Sequence, residues 1–267
     1  VPHFPDGKNI CLLMCGRGFG KSFAGTRQIK YQVSEKGVKR LAILAPTHSM
    51  IRDTIIFGSS GIMEAYSPND KERPEYISSQ SLLRWPNGAV AVLISADNPH
   101  KVRGLSLEYA YCDEICSWRD GLDLFTNLEM ATRLGESKIM ITTTPNANDL
   151  IVDLYKRKDI DVHLQTGSTL ANRAHLSEAM IKRAESLLGT RAGEVEVLGK
   201  LILTADGSLF PPDILDASHV YASEYPPRRW ERVVISLDPS GSNKKTADLF
   251  GISIVIAMDD GKIVIWE

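Results

Sequence analysis

The sequence predicts an α/β fold in which a mostly parallel sheet lies between helices. Three observations lead to this fold class. Short apolar runs alternate with helical patterns, a glycine-rich loop joins the first run to a helix, and one turn signal adds an antiparallel hairpin. Parallel strands need crossover connections that are usually helical, so alternation of this kind buries the sheet between two helical layers.

Six apolar runs are predicted as strands of the main sheet. The turn signal Trp85-Pro86-Asn87-Gly88 stands between two apolar runs and predicts the hairpin. Apolar residues at helical spacing predict helices over residues 23–33 and 176–188, and Gly189 ends the second. The predicted strands are Ile10–Cys15, Leu41–Ala45, Ala89–Ser95, Tyr109–Cys112, Ile139–Thr143 and Val162–Gln165.

The last quarter of the chain has a different sequence pattern. Residues 204–231 lose periodicity and carry two proline pairs, which is typical of a linker on the surface. Three apolar runs then predict strands at Val233–Asp238, Phe250–Ala257 and Ile263–Trp266. We therefore predict a first domain at 1–203, a linker at 204–231, and an incomplete second domain at 232–267. The sequence is expected to be a fragment of a longer polypeptide.

Composition limits the functional classes. The 267 residues are 43% hydrophobic with a net charge of −2, so a large core is available and no overall positive charge attracts nucleic acid. Any DNA contact must come from local patches. No apolar run is long enough for a membrane helix. The four cysteines lack metal or redox spacing and are expected to be buried, reduced thiols of an intracellular protein; they are Cys11, Cys15, Cys112 and Cys116.

The first chemical motif follows the first predicted strand. Residues 16–22 read Gly-Arg-Gly-Phe-Gly-Lys-Ser and open a helical pattern, which is the context of a phosphate-binding P-loop. Lys21 would reach the β- and γ-phosphates and Ser22 would hold Mg²⁺. The usual first glycine is replaced by Cys15, and a chance glycine-rich turn is the alternative. The predicted nucleotide-binding residues are Gly16, Arg17, Gly18, Phe19, Gly20, Lys21, Ser22 and Phe23.

Two adjacent carboxylates end the strand-like segment 107–112. In a P-loop protein, Asp113 would bind Mg²⁺, mostly through water, and Glu114 would polarise the attacking water as a general base. The alternative is a solvated acidic pair at the end of a strand. Together with the P-loop, the pair predicts hydrolysis of a nucleoside triphosphate.

Three consecutive threonines end the next predicted strand. Hydroxyls at the carboxyl end of a strand can hydrogen-bond a γ-phosphate or the attacking water, and Thr142, Thr143 and Thr144 occupy that position before Pro145. The alternative is a β-branched strand that proline terminates.

The motifs, taken in order, resemble one family. The arginine-bearing P-loop, then Ser95-Ala96-Asp97-Asn98-Pro99 with Arg103-Gly104, then Cys112-Asp113-Glu114 and Thr142–Pro145 are similar to the large subunit of viral terminases, which package DNA into procapsids of tailed phages. Residues towards the end of the first domain add to this resemblance. They are Gly167, Ser168, Thr169, Asn172, Glu194, Glu196 and Gly199.

The resemblance implies a P-loop NTPase fold of the RecA or ASCE type and a role for each motif. Asp113 and Glu114 correspond to the Walker B pair, and Thr142–Thr144 to the coupling motif. Arg17 corresponds to the P-loop arginine, and Arg103 to an arginine proposed to act as a finger on a neighbouring subunit. An internal salt bridge is the alternative for Arg103. The segment that packs on adenine in the family is missing, so base selectivity is not predicted.

The second domain resembles the start of the family's RNase H-like nuclease. Ser236-Leu237-Asp238-Pro239 is similar to that domain's first strand, whose aspartate binds two catalytic divalent metals, and Asp248 is a weaker candidate ligand. A turn residue at the end of a strand is the alternative for Asp238. Further carboxylates that such a metal site needs are absent from this chain.

The expected function is therefore an ATPase, dependent on ATP and Mg²⁺, that moves double-stranded viral DNA into a procapsid. The resemblance implies a homo-oligomeric ring that works in the host cytoplasm with a portal protein and a small terminase subunit, without a membrane partner. Two alternatives stay open. They are a helicase-like DNA translocase and an assembly component that uses nucleotide only to lock a ring.

Overall fold

A computed structural model describes residues 4–158, 160–203, 217–218, 230–238, 251–259 and 261–266. The chain forms two compact units, Val1–Leu203 and Thr204–Glu267, and each is described separately. No helix in these described ranges is long and apolar enough to cross a membrane.

An eight-stranded sheet is the centre of the first unit. The strands are β1 (Ile10–Cys15), β2 (Arg40–Ala45), β3 (Glu75–Ile77), β4 (Leu82–Arg84), β5 (Val90–Ser95), β6 (Tyr109–Asp113), β7 (Lys138–Thr143) and β8 (Val162–Gly167). Their order across the sheet is β3-β4-β5-β2-β6-β7-β1-β8, and each neighbouring pair in the part β5-β2-β6-β7-β1-β8 is parallel. The predicted α/β fold with a mostly parallel sheet is confirmed.

Helices connect the strands. A π-helical segment, Ile51–Ile56, continues α2, and a second one, Gly193–Val197, follows α5. Short 3₁₀ segments include Pro99–Val102 and Thr169–His175. The α-helices are α1 (Lys21–Ser34), α2 (His48–Met50), α3 (Gly121–Ala131), α4 (Asp149–Lys156) and α5 (Glu178–Leu187).

The core lies on both faces of the sheet because the central strands are apolar on both sides. In β1, Ile10, Leu12 and Met14 join the cluster that contains α3 and α4, whereas Cys11, Leu13 and Cys15 join the cluster that contains α1. This alternation follows from the period of two in a strand. Both faces are therefore closed, and functional groups are left at the strand ends.

Most predicted elements agree with the structure, with small shifts at their ends. The hairpin is present as β4 and β5, which pair antiparallel. The helix predicted over 176–188 begins at Glu178, since the Ser177 side chain caps its amino end. Cys11, Cys15 and Cys112 are buried, but Cys116 is only half-buried, so the expectation of four buried thiols is wrong for Cys116.

The second unit contains a small antiparallel sheet of order β11-β10-β9. The strands are β9 (Trp230–Asp238), β10 (Gly251–Met258) and β11 (Ile263–Trp266). Asp238 ends β9 and pairs with Gly251. Both proline pairs of the predicted linker and the candidate Asp248 lie outside the described residues.

Candidate functional site

A cavity of about 1200 Å³ lies where β1, β6 and β7 end. The carboxyl ends of parallel strands are the usual place for a ligand in this kind of sheet. The cavity is lined by residues 17–24 of the P-loop and α1, by Glu114, Cys116 and Ser117 after β6, and by Thr144, Pro145 and Asn146 after β7. Met50, Ser60, Asn172, His175, Leu176, Val195 and Glu196 complete the lining.

The loop between β1 and α1 requires glycine for different reasons at different positions. Gly18 and Gly20 have positive φ values of 74° and 103°, a backbone conformation that disfavours other residues. Gly16 has no such φ, but a Cβ there would meet the Val197 carbonyl oxygen and lie 2.7 Å from the Thr169 hydroxyl. Cys15, at the usual first glycine position, is the buried last residue of β1.

The amino end of α1 is open towards the cavity. Gly20 is its N-cap residue, and no side chain caps the helix. The first N–H groups of a helix have no partner within the helix, and the helix dipole places partial positive charge there. This end of α1 is therefore suited to bind a phosphate.

Lys21 is only 7% exposed, and its ammonium group is fully engaged. Its Nζ donates to the carbonyl oxygens of Cys15 at 3.0 Å and Gly16 at 3.1 Å, and to Thr144 Oγ1 at 2.9 Å. Burial lowers the pKa of Lys21, although the nearby Glu114 carboxylate opposes this shift. A phosphate that enters the cavity would replace neutral oxygen partners with charged ones.

Asp113 is 2% exposed and is held by two hydroxyl groups. Thr142 Oγ1 donates to Asp113 Oδ1 at 2.6 Å, and Tyr111 OH donates to the same oxygen at 3.1 Å. Burial raises the pKa of Asp113 to about 6, while these hydrogen bonds hold it lower than burial alone would. Both of these bonds end on Oδ1, and no described residue donates a hydrogen bond to the second carboxylate oxygen, Oδ2.

Glu114 has a strained backbone and faces the cavity. Its φ of 49° places it in the left-handed region, where a non-glycine residue is uncommon and often functional. Its N–H donates to the Thr142 carbonyl at 2.7 Å, and its Oε2 accepts from the Thr144 N–H at 3.2 Å. The turn therefore directs Glu114 away from the neighbouring Asp113 and into the site.

The three predicted threonines have three different roles. Thr142 is fully buried and bonds Asp113, and Thr143 is fully buried and donates to the Thr144 carbonyl at 3.1 Å. Only Thr144 lines the cavity, where its hydroxyl accepts from Lys21. The expectation that all three hydroxyls face a γ-phosphate therefore reduces to Thr144, because Thr142 and Thr143 are buried within β7 whereas Thr144 lies just past its end.

Arg17 lines the cavity, where it is paired with another residue of the lining. Its guanidinium forms an ion pair with the Glu196 carboxylate, and its backbone N–H donates to the Glu196 carbonyl at 2.8 Å. The Arg17 side chain is 69% exposed. A role at a triphosphate would require it to leave Glu196.

Residues 167–199, which we call the clasp, hold the P-loop from outside. The Thr169 hydroxyl donates to the Arg17 carbonyl at 2.7 Å, and Asn172 Nδ2 donates to the Gly18 carbonyl at 2.8 Å. The Gly16 N–H donates to the Gly167 carbonyl at 2.9 Å. The amides of Gly16 and Arg17 are thereby occupied, and the Phe19 N–H donates to the Gly16 carbonyl at 3.4 Å. Among the described residues, the Gly18 and Gly20 amides and the end of α1 are left for a ligand.

Four further predicted residues are placed as follows. Ser22 and Phe23 line the cavity. Phe19 also lines it, and its ring packs so closely on Gly167 that a Cβ at Gly167 would overlap it. Arg103 is exposed, follows the 3₁₀ segment Pro99–Val102 and does not line the cavity; it makes no salt bridge to a described residue.

The residues present suit a magnesium ion that is bound together with a ligand. No cluster of three or more His, Cys, Asp or Glu side chains among the described residues could hold a metal alone. Ser22 offers a hydroxyl at the cavity wall, and Asp113 offers Oδ2 from behind it. Mg²⁺ prefers oxygen ligands, keeps several waters and is usually completed by substrate phosphates.

Sequence reasoning missed several residues of the site. Tyr111 fixes Asp113, and its ring packs against Gly25 of α1 so tightly that a Cβ there would overlap it. Glu196 contributes to the family resemblance, but the sequence does not indicate that it pairs with Arg17. A tyrosine two residues before the acidic pair was a usable signal, since both side chains lie on the same face of the strand.

Comparison with known families gives one match of high coverage. A model described as terminase large subunit, T4likevirus-type, N-terminal, matches residues 12–216. A sequence comparison with curated proteins gives no significant match.

Solved structures with a similar fold come from phage large terminases. The enzyme of the thermophilic bacteriophage D6E aligns with a TM-score of 0.63 at 12% identity, over 98% of this chain and 64% of that one. The large terminase ATPase domain of the Thermus phage P74-26 aligns with a TM-score of 0.58 at 15% identity, over 76% of this chain and 94% of that one. The large terminase of bacteriophage HK97 aligns with a TM-score of 0.59 at 19% identity, over 98% of this chain and 59% of that one. This chain thus spans 64% of the D6E protein's length.

Proposed function

Since this chain belongs to the terminase large subunit family, we propose that it is the Mg²⁺-dependent ATPase of a motor that packages double-stranded viral DNA. The cavity at the P-loop is the proposed site of ATP binding and hydrolysis. One observation carries the proposal. Lys21, Glu114 and Thr144 come from three separate elements and meet at the open amino end of α1, linked by hydrogen bonds of 2.9 Å and 3.2 Å.

Binding begins with the phosphates at the amino end of α1. The loop amides that the clasp leaves free donate to the phosphate oxygens, and the helix dipole adds to this attraction. Lys21 exchanges its carbonyl partners for the β- and γ-phosphates. A Mg²⁺ ion, held by Ser22 and through water by Asp113, would neutralise charge on those phosphates.

Hydrolysis needs a base and stabilised charge. Glu114 accepts a proton from the attacking water, and its left-handed backbone directs the carboxylate into the cavity for this task. Lys21 stabilises the negative charge that develops on the transferred phosphoryl group. Arg17 adds a second positive charge after it leaves Glu196.

Thr144 is the proposed relay of γ-phosphate loss. Its hydroxyl bonds Lys21 and its N–H bonds Glu114, so a change at either partner alters the end of β7 directly. Thr142 and Thr143 act below it, where Thr142 keeps Asp113 in position. In such a relay, the loss of a hydrogen bond at the γ-phosphate changes the position of a segment that has two stable arrangements, here the end of β7.

The whole motor is proposed from family membership. The partners are double-stranded DNA, further copies of the subunit in a homo-oligomeric ring, a portal protein and a small terminase subunit, in the host cytoplasm. Arg103, which is exposed and outside its own cavity, is proposed to act on a neighbour's nucleotide. The second unit is proposed to begin an RNase H-like nuclease domain in which Asp238 helps bind two divalent metals.

Steady-state phosphate release by the purified chain, with ATP and Mg²⁺, tests the enzymatic part. Turnover that disappears on chelation and in Glu114→Gln is expected, whereas stoichiometric binding without turnover in both the isolated and the assembled protein would favour a nucleotide-locked assembly component. Displacement of a triplex-forming strand from duplex DNA, without strand separation, would support packaging. Strand separation would favour the helicase-like alternative.

A further inference from the structure

Phe23 stands at the edge of the proposed ATP site. It is the third residue of α1, it lines the cavity, and 51% of it is exposed. Large apolar side chains that line a cavity and remain exposed usually serve a ligand. Resting on the proposed function, we infer that Phe23 is the stacking platform for the nucleotide base.

One face of the Phe23 ring is already supported. The Arg27 guanidinium lies over the ring, with its central carbon 4.5 Å from the ring centroid. Arg27 is itself fixed, since it donates to the carbonyl oxygens of Gly61 at 3.3 Å and Glu64 at 3.2 Å. A cation on one face stabilises the ring and leaves the other face for a planar group.

The wall beside Phe23 is rigid. The Thr26 hydroxyl donates to the Ser60 carbonyl at 2.7 Å, and Lys30 Nζ donates to the Ala65 carbonyl at 2.8 Å. These bonds tie α1 to residues 60–65 along successive turns of the helix. The part of α1 that carries Phe23 is therefore held in place before a ligand arrives, which reduces the entropy that stacking would cost.

The position of Phe23 suits a base and not a phosphate. Lys21 and Ser22 immediately precede it and form the phosphate end of the site, so the ribose and base must extend beyond them. A base has an aromatic face that stacks on a ring whatever its identity. A phosphate, which is charged and strongly hydrated, gains nothing from an apolar ring.

The surroundings predict weak discrimination between bases. The segment that packs on α1 contributes Met50 and Ser60 to the cavity lining, and Ala24 follows Phe23. Of the three residues Met50, Ser60 and Ala24, Ser60 alone has a side-chain group that can hydrogen-bond a base edge. A hydroxyl both donates and accepts, so it satisfies adenine and guanine alike.

Calorimetry with three probes tests the inference. The probes are the β,γ-imido analogues of ATP and GTP and inorganic tripolyphosphate, each with Mg²⁺. The wild-type chain should bind the two analogues with affinities within about fivefold of each other. Phe23→Ala should weaken both by about 5- to 100-fold, the range that one base stacked on an aromatic ring contributes, and should leave tripolyphosphate within about twofold.

Two further variants sharpen the result. Phe23→Trp should retain nucleotide affinity because a larger ring still stacks. Tyr31→Ala is the matched control, since Tyr31 lies on the same helix, is 37% exposed and carries Lys36 over its ring, but lines a different cavity. It should change the affinity for none of the three probes.

The outcomes that would overturn the inference are distinct. Equal loss of tripolyphosphate and nucleotide affinity in Phe23→Ala would mean that Phe23 shapes the loop. Unchanged nucleotide affinity would place the base elsewhere, and discrimination beyond about 50-fold by the wild type would require an edge-reading group. If wild-type protein fails to bind even tripolyphosphate, the proposed ATP site itself is wrong, and the inference fails with it.

Discussion

The two walls of the proposed ATP site hold their functional side chains differently. On the sheet wall, Lys21 and Asp113 are buried and their charged groups are bonded to strand ends. On the outer wall, Arg17 and Phe23 are mostly exposed, and Arg17 is tied to the clasp by a surface ion pair. Sheet register fixes the first group. In the second group, Arg17 can exchange its ion-pair partner when a ligand arrives.

This difference separates the residues expected to catalyse hydrolysis from those expected to adjust ligand affinity. Buried groups with several fixed partners are pre-organised, which is what transition-state stabilisation requires. Exposed ion pairs contribute about 0–1 kcal/mol, so they can be broken by a competing phosphate. We therefore expect substitutions on the sheet wall to change catalysis strongly and those on the clasp to adjust affinity. The exposed Arg103, outside both walls, should matter only in an assembly.

Arg103 gives the largest expected effect and the strongest test of that separation. In an assembled ring, Arg103→Ala should lower turnover by about 10³- to 10⁵-fold, the contribution of arginine fingers in GTPases, but it should hardly alter any basal turnover of monomers. A mixture of Arg103→Ala and Glu114→Gln subunits should regain partial activity. In that mixture some interfaces join an intact Arg103 to a neighbour with an intact Glu114.

The control for this experiment is a mixture of Arg17→Ala and Glu114→Gln subunits. Arg17 and Glu114 line the same cavity of one chain, so no interface can restore a complete site. Native mass spectrometry should first establish that mixed rings form. If such rings stay as inactive as their parents in the Arg103 mixture, Arg103 acts within its own subunit or only on structure.

Glu114 and Lys21 should separate chemistry from binding within the sheet wall. Glu114→Gln should reduce the rate constant for hydrolysis by about 10²- to 10⁴-fold with nearly unchanged nucleotide affinity, because it acts on the water in the transition state. Lys21→Ala should weaken nucleotide binding itself, since Lys21 contacts ground-state phosphates. Calorimetry and single-turnover hydrolysis measure the two effects, with the exposed Glu35→Gln as a charge-matched control. An equal loss of affinity in Glu114→Gln and Lys21→Ala would contradict the roles.

The sequence predicted the sheet wall well because its signals are local. The apolar run of β1, the glycines and Lys21 are contiguous, and burial on both faces leaves little choice for such a strand. The acidic pair was placed correctly at the end of β6 for the same reason. By contrast, which threonine reaches the cavity depends on register, since Asp113 pairs with Thr142 across β6 and β7.

The clasp could not be predicted from local pattern. Arg17 and Glu196 meet only after the chain has crossed several strands, and nothing near either residue indicates the partner. The π-helical segment Ile51–Ile56 was also missed, because its geometry does not follow the helical spacing that patterns detect. The close packing of Gly25 on Tyr111 likewise needs the three-dimensional structure.

Asp113 should make metal-free stability depend on pH. Burial raises the pKa of Asp113 from its ordinary value of 3.8 to about 6, so the folded state binds the proton more tightly than the unfolded state does. The contribution of Asp113 to the free energy of unfolding is complete below pH 3.8 and is lost as the pH rises to about 6, with a total of about 3 kcal/mol. Urea unfolding in the presence of a chelator, between pH 4 and 8, measures it.

Asp113→Asn is the variant that isolates this effect. An amide oxygen can still accept from Thr142 and Tyr111, but no buried charge develops above pH 6. The variant should therefore be more stable than the wild type at pH 7 and should lose this part of the pH dependence, although it should not hydrolyse ATP. If the wild type and the variant instead show the same change in the free energy of unfolding between pH 4 and pH 8, Asp113 is solvated in the folded state.

The smallest expected effect tests whether the outer wall adjusts affinity. Glu196→Gln removes the charge that holds Arg17 but keeps the backbone carbonyl that accepts from the Arg17 N–H at 2.8 Å, so the clasp stays in place. Because an exposed ion pair contributes at most about 1 kcal/mol, releasing Arg17 should tighten binding of an ATP analogue by up to about fivefold.

Glu194→Gln is the matched control, since Glu194 lies in the same π-helical segment but pairs with Lys200. Calorimetry at low and high salt measures both, and the gain should shrink at high salt, where the ion pair is already screened. A loss of affinity in Glu196→Gln alone would mean that Glu196 holds Arg17 in its productive orientation, and the clasp would then belong with the pre-organised sheet wall.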